Sequence, residues 1–255
     1  MSQFRLVILD YAKEQLDNPV AQKILSDVLF VKQKNFLRTD PNYVVMDKHD
    51  MIGTHYLIYD TTDFINPKLV FAIRTTYLNR SNQHRVETPL MALMPKLEMR
   101  LQETFKRFQK KHPELVDCNA WFVDPSFSKK NSGLALSDIG YFMVCMNAMR
   151  NGFDNIIGCT NETYGASRWV EKVGEMETGL LFEHPSVKAP HMMLLVENFN
   201  LPHFAKVYAE NKQCIDEMFE VMPTTSNDKL PSIPEFAKSI LGELSTRRRG
   251  DSSAA

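Results

Sequence analysis

Ala120-Trp121-Phe122-Val123-Asp124-Pro125-Ser126-Phe127-Ser128-Lys129-Lys130-Asn131-Ser132-Gly133-Leu134-Ala135 decides how the rest of the chain is organised. Ala120–Val123 is a short apolar run of strand formers, and the polar stretch after it is a loop. Largely apolar residues from Ala135 to Arg150 then predict a buried helix, stopped by Asn151-Gly152. Asn155–Thr160 predicts a second short buried strand and Glu162–Lys172 a second helix. Strand, helix, strand, helix within roughly 55 residues is the pattern of a right-handed βαβα unit with two parallel strands. Free N–H groups at a helix start, Gly133 for close approach, and Lys129 with Lys130 make an anion site suited to phosphate. The same pattern also fits an ordinary turn.

Working outward, Phe4–Leu9 is rich in strand formers, and Asn18-Pro19 opens a helix expected to reach Phe36, with Val20, Ile24, Val28 and Val31 on one stripe. Thr54–Tyr59 and Lys68–Leu78 predict an antiparallel pair. Leu90, Met94, Leu97, Leu101, Phe105 and Phe108 predict one amphipathic helix over Thr88–Lys111. Gly179–Phe182 and Met192–Glu197 are further strand candidates, Leu201–Val221 reads as helical, and a last short helix is expected near Pro234–Leu244. The expected organisation is one domain over 1–200, a helical extension packed on it over 201–244, and a disordered tail over 245–255.

The 255 residues are 44% hydrophobic and 24% charged, with a net charge of −1, an ordinary globular composition without a field that would favour nucleic acid. The longest apolar runs, Leu69–Ile73 and His191–Val196, fall far short of the ~20 residues a membrane span needs. Cys118, Cys145, Cys159 and Cys214 show no Cys-x-x-Cys spacing, so neither a zinc site nor a disulfide framework is expected. His49, His55, His184 and His191 lack metal-site spacing and read as surface or core residues, so no metal is predicted. A cytoplasmic protein with reduced thiols follows from these features.

Three motifs in order sharpen the picture. Lys130-x-x-Gly133-x-Ala135 resembles the pyrophosphate loop of the GNAT acyltransferase superfamily. Ala148-x-x-Asn151-Gly152-Phe153 followed by Ile156-Ile157 is similar to that superfamily's helix end and fifth strand. Asn161 with Ala166-Ser167-Arg168-Trp169-Val170-Glu171-Lys172-Val173-Gly174 resembles its closing motif. The resemblance implies an α/β fold with a central twisted mixed sheet whose adjacent parallel strands splay to admit an acyl thioester. It further implies that Lys129, Lys130, Asn131, Gly133, Ala135 and Asn161 hold the phosphopantetheine of coenzyme A or of an acyl carrier protein. An amine would attack the thioester directly, against strand residues Trp121, Phe122 and Val123, whose N–H groups stabilise the oxyanion. Val170 stands where a tyrosine often protonates the leaving thiolate, and Tyr164 on the adjacent turn is the candidate substitute.

The front half resembles the acyl-homoserine lactone synthases and N-acyl amino acid synthases, through Asp47-x-x-Asp50, His55–Asp60 and Arg74 in an apolar strand. In that branch the resemblance assigns Asp47, Asp50 and Arg74 to the amine acceptor: the carboxylates attract an ammonium and can accept its proton, which makes Asp47 and Asp50 catalytic candidates, and Arg74 pairs with a substrate carboxylate. Arg74 could equally be held by a structural carboxylate such as Glu98, and Asp47 and Asp50 equally form a solvated loop. The Trp-Glu-x-x-Arg pattern of the autoinducer enzymes is absent at Asn119–Asp124, and Ser26 precedes Phe30 where an Arg is expected. N-acylation of an amino acid or small amine survives these departures better than lactone formation. Transfer of acetyl from acetyl-coenzyme A to a small amine or a protein lysine, and thioester binding without turnover, are the alternatives. Met91, Met94, Met99, Met143, Met146 and Met149 line an acyl tunnel or simply pack a core. Lys106, Arg107, Lys110, Lys111, Lys129 and Lys130 are candidates for docking an acidic carrier protein.

Overall fold

A computed structural model describes residues 3–37, 40–127, 135–177, 179–223 and 230–251. The strands are β1 (Phe4–Asp10), β2 (Thr54–Asp60), β3 (Lys68–Tyr77), β4 (Val116–Val123), β5 (Asn155–Asn161), β6 (Glu175–Met176), β7 (Leu181–Glu183), β8 (Pro190–Glu197) and β9 (Phe219–Val221). The helices are α1 (Pro19–Phe36), α2 (Lys48–Ile52), α3 (Leu78–Gln83), α4 (Pro89–Leu93), α5 (Met99–Lys111), α6 (Leu136–Arg150), α7 (Ser167–Val170), α8 (Leu201–Glu210), α9 (Lys212–Asp216) and α10 (Ile233–Asp251). Among the described residues the strands form one mixed sheet in the order β6-β8-β5-β4-β3-β2-β1-β9, with β7 added on β8. Two pairs are parallel, β4 with β5 and β1 with β9; the others are antiparallel.

Side-chain alternation along the strands separates two faces. On one, α6 lies across the sheet with α8 and α10 behind it, burying Phe142, Met143, Val144 and Met146 against Tyr56, Ile58, Phe71 and Ile73. Gly140 permits this approach, since a Cβ there would meet the Phe71 ring at 2.0 Å. The other face carries two separate apolar clusters. Ile24, Val28 and Val31 of α1 cover Val7, Leu57 and Ala72, whereas Leu90 of α4 with Leu101 and Phe105 of α5 covers Ile157, Met193 and Leu195. Between these clusters the same face carries a polar strip, with Arg74 on β3 and Asp117 and Asn119 on β4.

The expected βαβα unit and the antiparallel β2–β3 pair are present. Several predicted helices are broken, each for a local reason. Pro95 turns the chain into a 3-10 segment over Met94–Lys96, and Leu97 is extended, so Thr88–Lys111 is two helices. Gly165, at φ 62°, interrupts Glu162–Lys172. The Leu201–Val221 helix ends at Glu210, restarts briefly as α9, and its expected last turn is instead β9, parallel to β1. The final helix continues to Asp251, into the stretch expected to be a disordered tail. Met143 and Met146 are fully buried and Met99 is exposed. No helix among the described residues is long and apolar enough to cross a membrane.

Candidate active site

The polar strip is organised by α2. The Asp47 carboxylate accepts the Asp50 N–H at 3.1 Å, and Asp50 accepts the Asp47 N–H at 2.9 Å, a reciprocal capping box. Both carboxylates also meet Arg74, which β3 presents from beneath. Its Nη1 donates to Asp47 at 2.7 Å and to Asp50 at 2.6 Å, its Nη2 to Asp47 at 3.2 Å, and its Nε to the Asn119 side-chain oxygen at 2.7 Å. Lys32 of α1 closes the group, with Nζ 2.8 and 2.6 Å from the two Asp50 oxygens. Two cations balance two carboxylates, which is what allows Lys32, Asp50 and Arg74 to stay buried beside the partly exposed Asp47.

The sequence therefore placed Asp47, Asp50 and Arg74 in one cluster, and the structure brings them together. Their assignment changes in detail. Arg74 is held by Asp47, Asp50 and Asn119, and Glu98 takes no part. Side-chain exposure is 4% for Arg74 and 0% for Asp50, against 30% for Asp47, so the network reaches solvent through a carboxylate. Burial pushes the Asp50 carboxyl up, and the Arg74 guanidinium with Lys32 overcomes this, holding it below the usual carboxylate range. His55, opposite Arg74 in the sheet, is held neutral by burial and donates Nε2–H to the Asp50 carbonyl at 2.9 Å.

Three members were missed. Lys32 sits four residues after Val28 on the buried stripe of α1, a cation on an apolar stripe that signals a buried partner. Asn119 and Asp117 fall in the first half of β4, which was read as starting only at Ala120. Asn119 donates to the Asp117 carbonyl at 3.2 Å, and Asp117 accepts the Leu90 N–H at 2.6 Å. Burial pushes the Asp117 carboxyl up to about 6, against the lowering effect of that N–H.

Beside this strip the parallel pair opens. β4 and β5 are in register only at Asp117–Ile157 and Cys118–Gly158. Gly158 makes that contact possible, because a Cβ there would lie 2.4 Å from the Cys118 carbonyl oxygen. Immediately beyond, β4 carries one extra residue against β3: Ala72 faces Phe122 and Arg74 faces Asn119, with Ala120 between them at φ 52°. A bulge of this kind bends its strand, and here it takes β4 away from β5. Phe122 packs on the α1 side, whereas Trp121 and Val123 lie against the α6 side. Trp121 meets the Tyr141 ring edge-on at 5.5 Å, and its buried Nε1–H has no partner among the described residues.

Of the predicted donor site, Lys129, Lys130, Asn131 and Gly133 lie outside the described residues. Ala135 stands where expected, at the start of α6. Asn161 ends β5 and its side chain accepts the Thr163 N–H at 2.9 Å, capping the next turn. Tyr164 closes that turn, and Val170 is buried in the core beside α6. No group of three or more metal-type ligands occurs among the described residues.

Comparison of the sequence with family models and with curated proteins finds no match. Solved structures do match. A CoA-dependent acyl-homoserine lactone synthase, BjaI, solved with SAM and isopentyl-CoA, is 12% identical with a TM-score of 0.53, over 93% of this chain and 99% of that one. Another, MesI, is 15% identical with a TM-score of 0.50, over 80% and 95%. FeeM, an N-acyl amino acid synthase from uncultured soil microbes, is 11% identical with a TM-score of 0.44, over 81% and 95%. The mixed sheet, the short parallel pair and the flanking helices thus give this chain the fold of the CoA-dependent acyl-homoserine lactone synthases.

Proposed function

We propose that this chain is an N-acyltransferase that moves a medium or long acyl group from a thioester to the amine of an amino acid or similar small molecule. The observation that carries this is the β4–β5 pair, which stays together for two positions and opens at the Ala120 bulge. Strand edges that lose their partner expose N–H and C=O groups able to receive an extended thioester arm, whose amides pair as a strand would. Trp121 Nε1–H, buried and without a partner among the described residues, adds a donor on the side of α6, from which the arm would arrive. The thioester carbonyl would then lie across the gap, with its oxygen toward β4 N–H groups.

The acceptor belongs on the opposite face, over the polar strip. Asp47, half-open to solvent, attracts its ammonium, while Arg74, Asp50 and Lys32 hold Asp47 in place. A synthase of this fold has been solved with SAM and isopentyl-CoA, which supports a site that takes an acyl thioester and a small molecule together. Coenzyme A and an acyl carrier protein present the same phosphopantetheine. The exposed α5 side chains Lys106, Arg107, Lys110 and Lys111 would suit the acidic carrier.

Incubating the protein with acetyl-, octanoyl- and palmitoyl-thioesters, on coenzyme A and on carrier protein, with pooled amino acids and amines tests this. Free thiol and a new amide mass are expected with the longer chains. Turnover restricted to acetyl-coenzyme A would select the acetyltransferase alternative, thioester binding without thiol release would identify a non-catalytic binder, and no binding would overturn the proposal.

A further inference from the structure

The hairpin that joins β2 to β3 ends in two large apolar side chains left open to water. Phe64 is 81% exposed and Ile65 85%, between Asp60 and Lys68, which pair across the two strands. Every residue from Thr62 to Lys68 is exposed, so the tip stands clear of the rest of the molecule. Single exposed apolar residues are ordinary, whereas two adjacent ones on a projecting tip read as a contact surface.

The tip holds its shape without a strand partner. The Asp60 carboxylate accepts the Thr62 N–H at 3.0 Å and the Thr62 hydroxyl at 2.6 Å. The Asp63 carboxylate accepts the Ile65 and Asn66 N–H groups at 2.9 and 3.1 Å, and the Thr61 N–H and hydroxyl both donate to the Gln3 carbonyl. Pro67 has no N–H to satisfy. Backbone donors at Thr61, Thr62, Ile65 and Asn66 are thus bound internally, which lowers the penalty for entering a medium poor in water. The same bonds order the loop in advance, so little chain entropy is lost on docking.

Charge and size select the kind of surface. Asp60 and Asp63 flank the apolar pair, while the basic residues beside them are engaged: Lys68 pairs with Asp124 at 2.7 Å, and the Arg5 guanidinium lies 4.9 Å from the Phe219 ring. An apolar tip with carboxylates at its base complements a surface that carries ammonium groups and is repelled by a purely anionic one. Two side chains fall far short of the ~800 Å² per partner of a standard protein interface, which argues against a second copy of the chain. A lipid interface has no such threshold, because each inserted apolar side chain contributes by itself. The tip also lies toward the end of the sheet where the thioester arm is expected. Lys68 opens β3, its partner Asp124 directly follows β4, and its Nζ lies 5.7 Å from the Phe127 ring, shortly before Lys129 and Lys130 in the chain.

We propose that Phe64 and Ile65 insert into the surface of a zwitterionic phospholipid bilayer, with Asp60 and Asp63 among its ammonium headgroups. Docking brings the end of β4 to the lipid surface, where long-chain thioesters and N-acyl products, both amphiphiles, partition. The docking stands apart from the acyl-transfer reading; its use in exchanging substrate and product rests on that reading.

Flotation of the full chain with phosphatidylcholine vesicles tests this. The wild type is expected to float, and the Phe64→Asp, Ile65→Asp double variant to bind at least about tenfold more weakly. Neither side chain is buried, so the variant should keep the wild-type melting temperature and its thiol release from octanoyl-coenzyme A in lipid-free buffer. Adding phosphatidylglycerol to the vesicles should weaken wild-type binding. Phe64→Trp reads insertion directly, as a blue shift of emission on adding vesicles beyond that of the wild type. A wild type that stays in the soluble fraction, a double variant that floats equally well, or a Phe64→Trp emission that does not shift would overturn the proposal. Stronger flotation on phosphatidylglycerol would overturn it in favour of basic residues, and a wild-type dimer that the double variant dissociates would make the tip a protein interface instead. A wild type that floats yet releases no thiol keeps the docking and removes the acyl-transfer reading.

Discussion

Arg74 and Arg150 are two buried arginines on opposite sides of the same sheet, and they are satisfied differently. Arg150, at the end of α6, is 2% exposed and donates to Glu220, to the Asn147 side-chain oxygen and to the Pro231 carbonyl. Asn147 passes the connection on, donating to the Tyr56 and Tyr77 hydroxyls at 2.7 and 2.9 Å, and Glu220 accepts the Ile233 N–H at 2.7 Å. This network ties β2, β3, α6, β9 and α10 together through mostly neutral partners. Around Arg74 the partners are charges, and the outermost of them, Asp47, is open to water. A network enclosed around one Arg–Glu pair and otherwise neutral partners fixes a fold, whereas one of several charges ending in a partly exposed carboxylate can answer to a charged ligand.

The largest expected effect follows from the closed side. Arg150→Met strands Glu220 without its cation and removes a donor from Asn147, at a cost of about 3–5 kcal/mol in urea unfolding. Because that network touches neither the strip nor the parallel pair, the acceptor KM of the folded fraction should stay at the wild-type value. A raised acceptor KM with little loss of stability would erase the distinction between the two arginines.

A second effect separates two buried carboxyls of the strip by the sign of their pH dependence. Asp50 is held below its unfolded range, so its contribution is present at neutral pH and lost as pH falls through its folded pKa. Asp117 is raised from 3.8 to about 6, so the folded state binds its proton more tightly than the unfolded state does. Its contribution is full in acid and is lost as pH rises from about 4 through about 6, a change of about 3 kcal/mol at most. Asp117→Asn, which keeps an oxygen for the Leu90 N–H, should remove that decline, gaining on the wild type by about 2–3 kcal/mol between mildly acidic and neutral urea melts. Parallel pH profiles would mean that Asp117 is as readily ionised in the fold as outside it.

Much of this contrast was legible in the chain, and the exceptions share a cause. The βαβα order and the antiparallel pair could be seen because local pattern and spacing carry them, whereas Asp47, Asp50 and Arg74 were grouped only through the resemblance to the acyl-homoserine lactone and N-acyl amino acid synthases. What could not be seen depends on a partner distant in sequence. Phe219–Val221 reads as the end of an amphipathic helix and becomes a strand only because the β1 edge is available beside it, with Glu220 fastened to Arg150. Asp117 and Asn119 look too polar for a central strand until α4 and Arg74 supply their partners.

The smallest effect tests what opens the parallel pair. Ala120 adopts a left-handed φ of 52°, which costs a residue bearing Cβ about 1–2 kcal/mol. Glycine removes that cost but adds unfolded-chain entropy of about 0.5–1 kcal/mol, so Ala120→Gly should stabilise the protein by no more than about 1 kcal/mol. For a chain of this size that is a rise in melting temperature of about 2–4 °C or less. The sign matters more than the size. If β4 instead ran on in ordinary strand geometry beside β5, glycine would gain nothing at Ala120 and would weaken the strand, and the melting temperature would fall. A rise therefore locates the opening at the bulge, on the strand that carries Asn119 to Arg74 on one face and Trp121 to Tyr141 on the other.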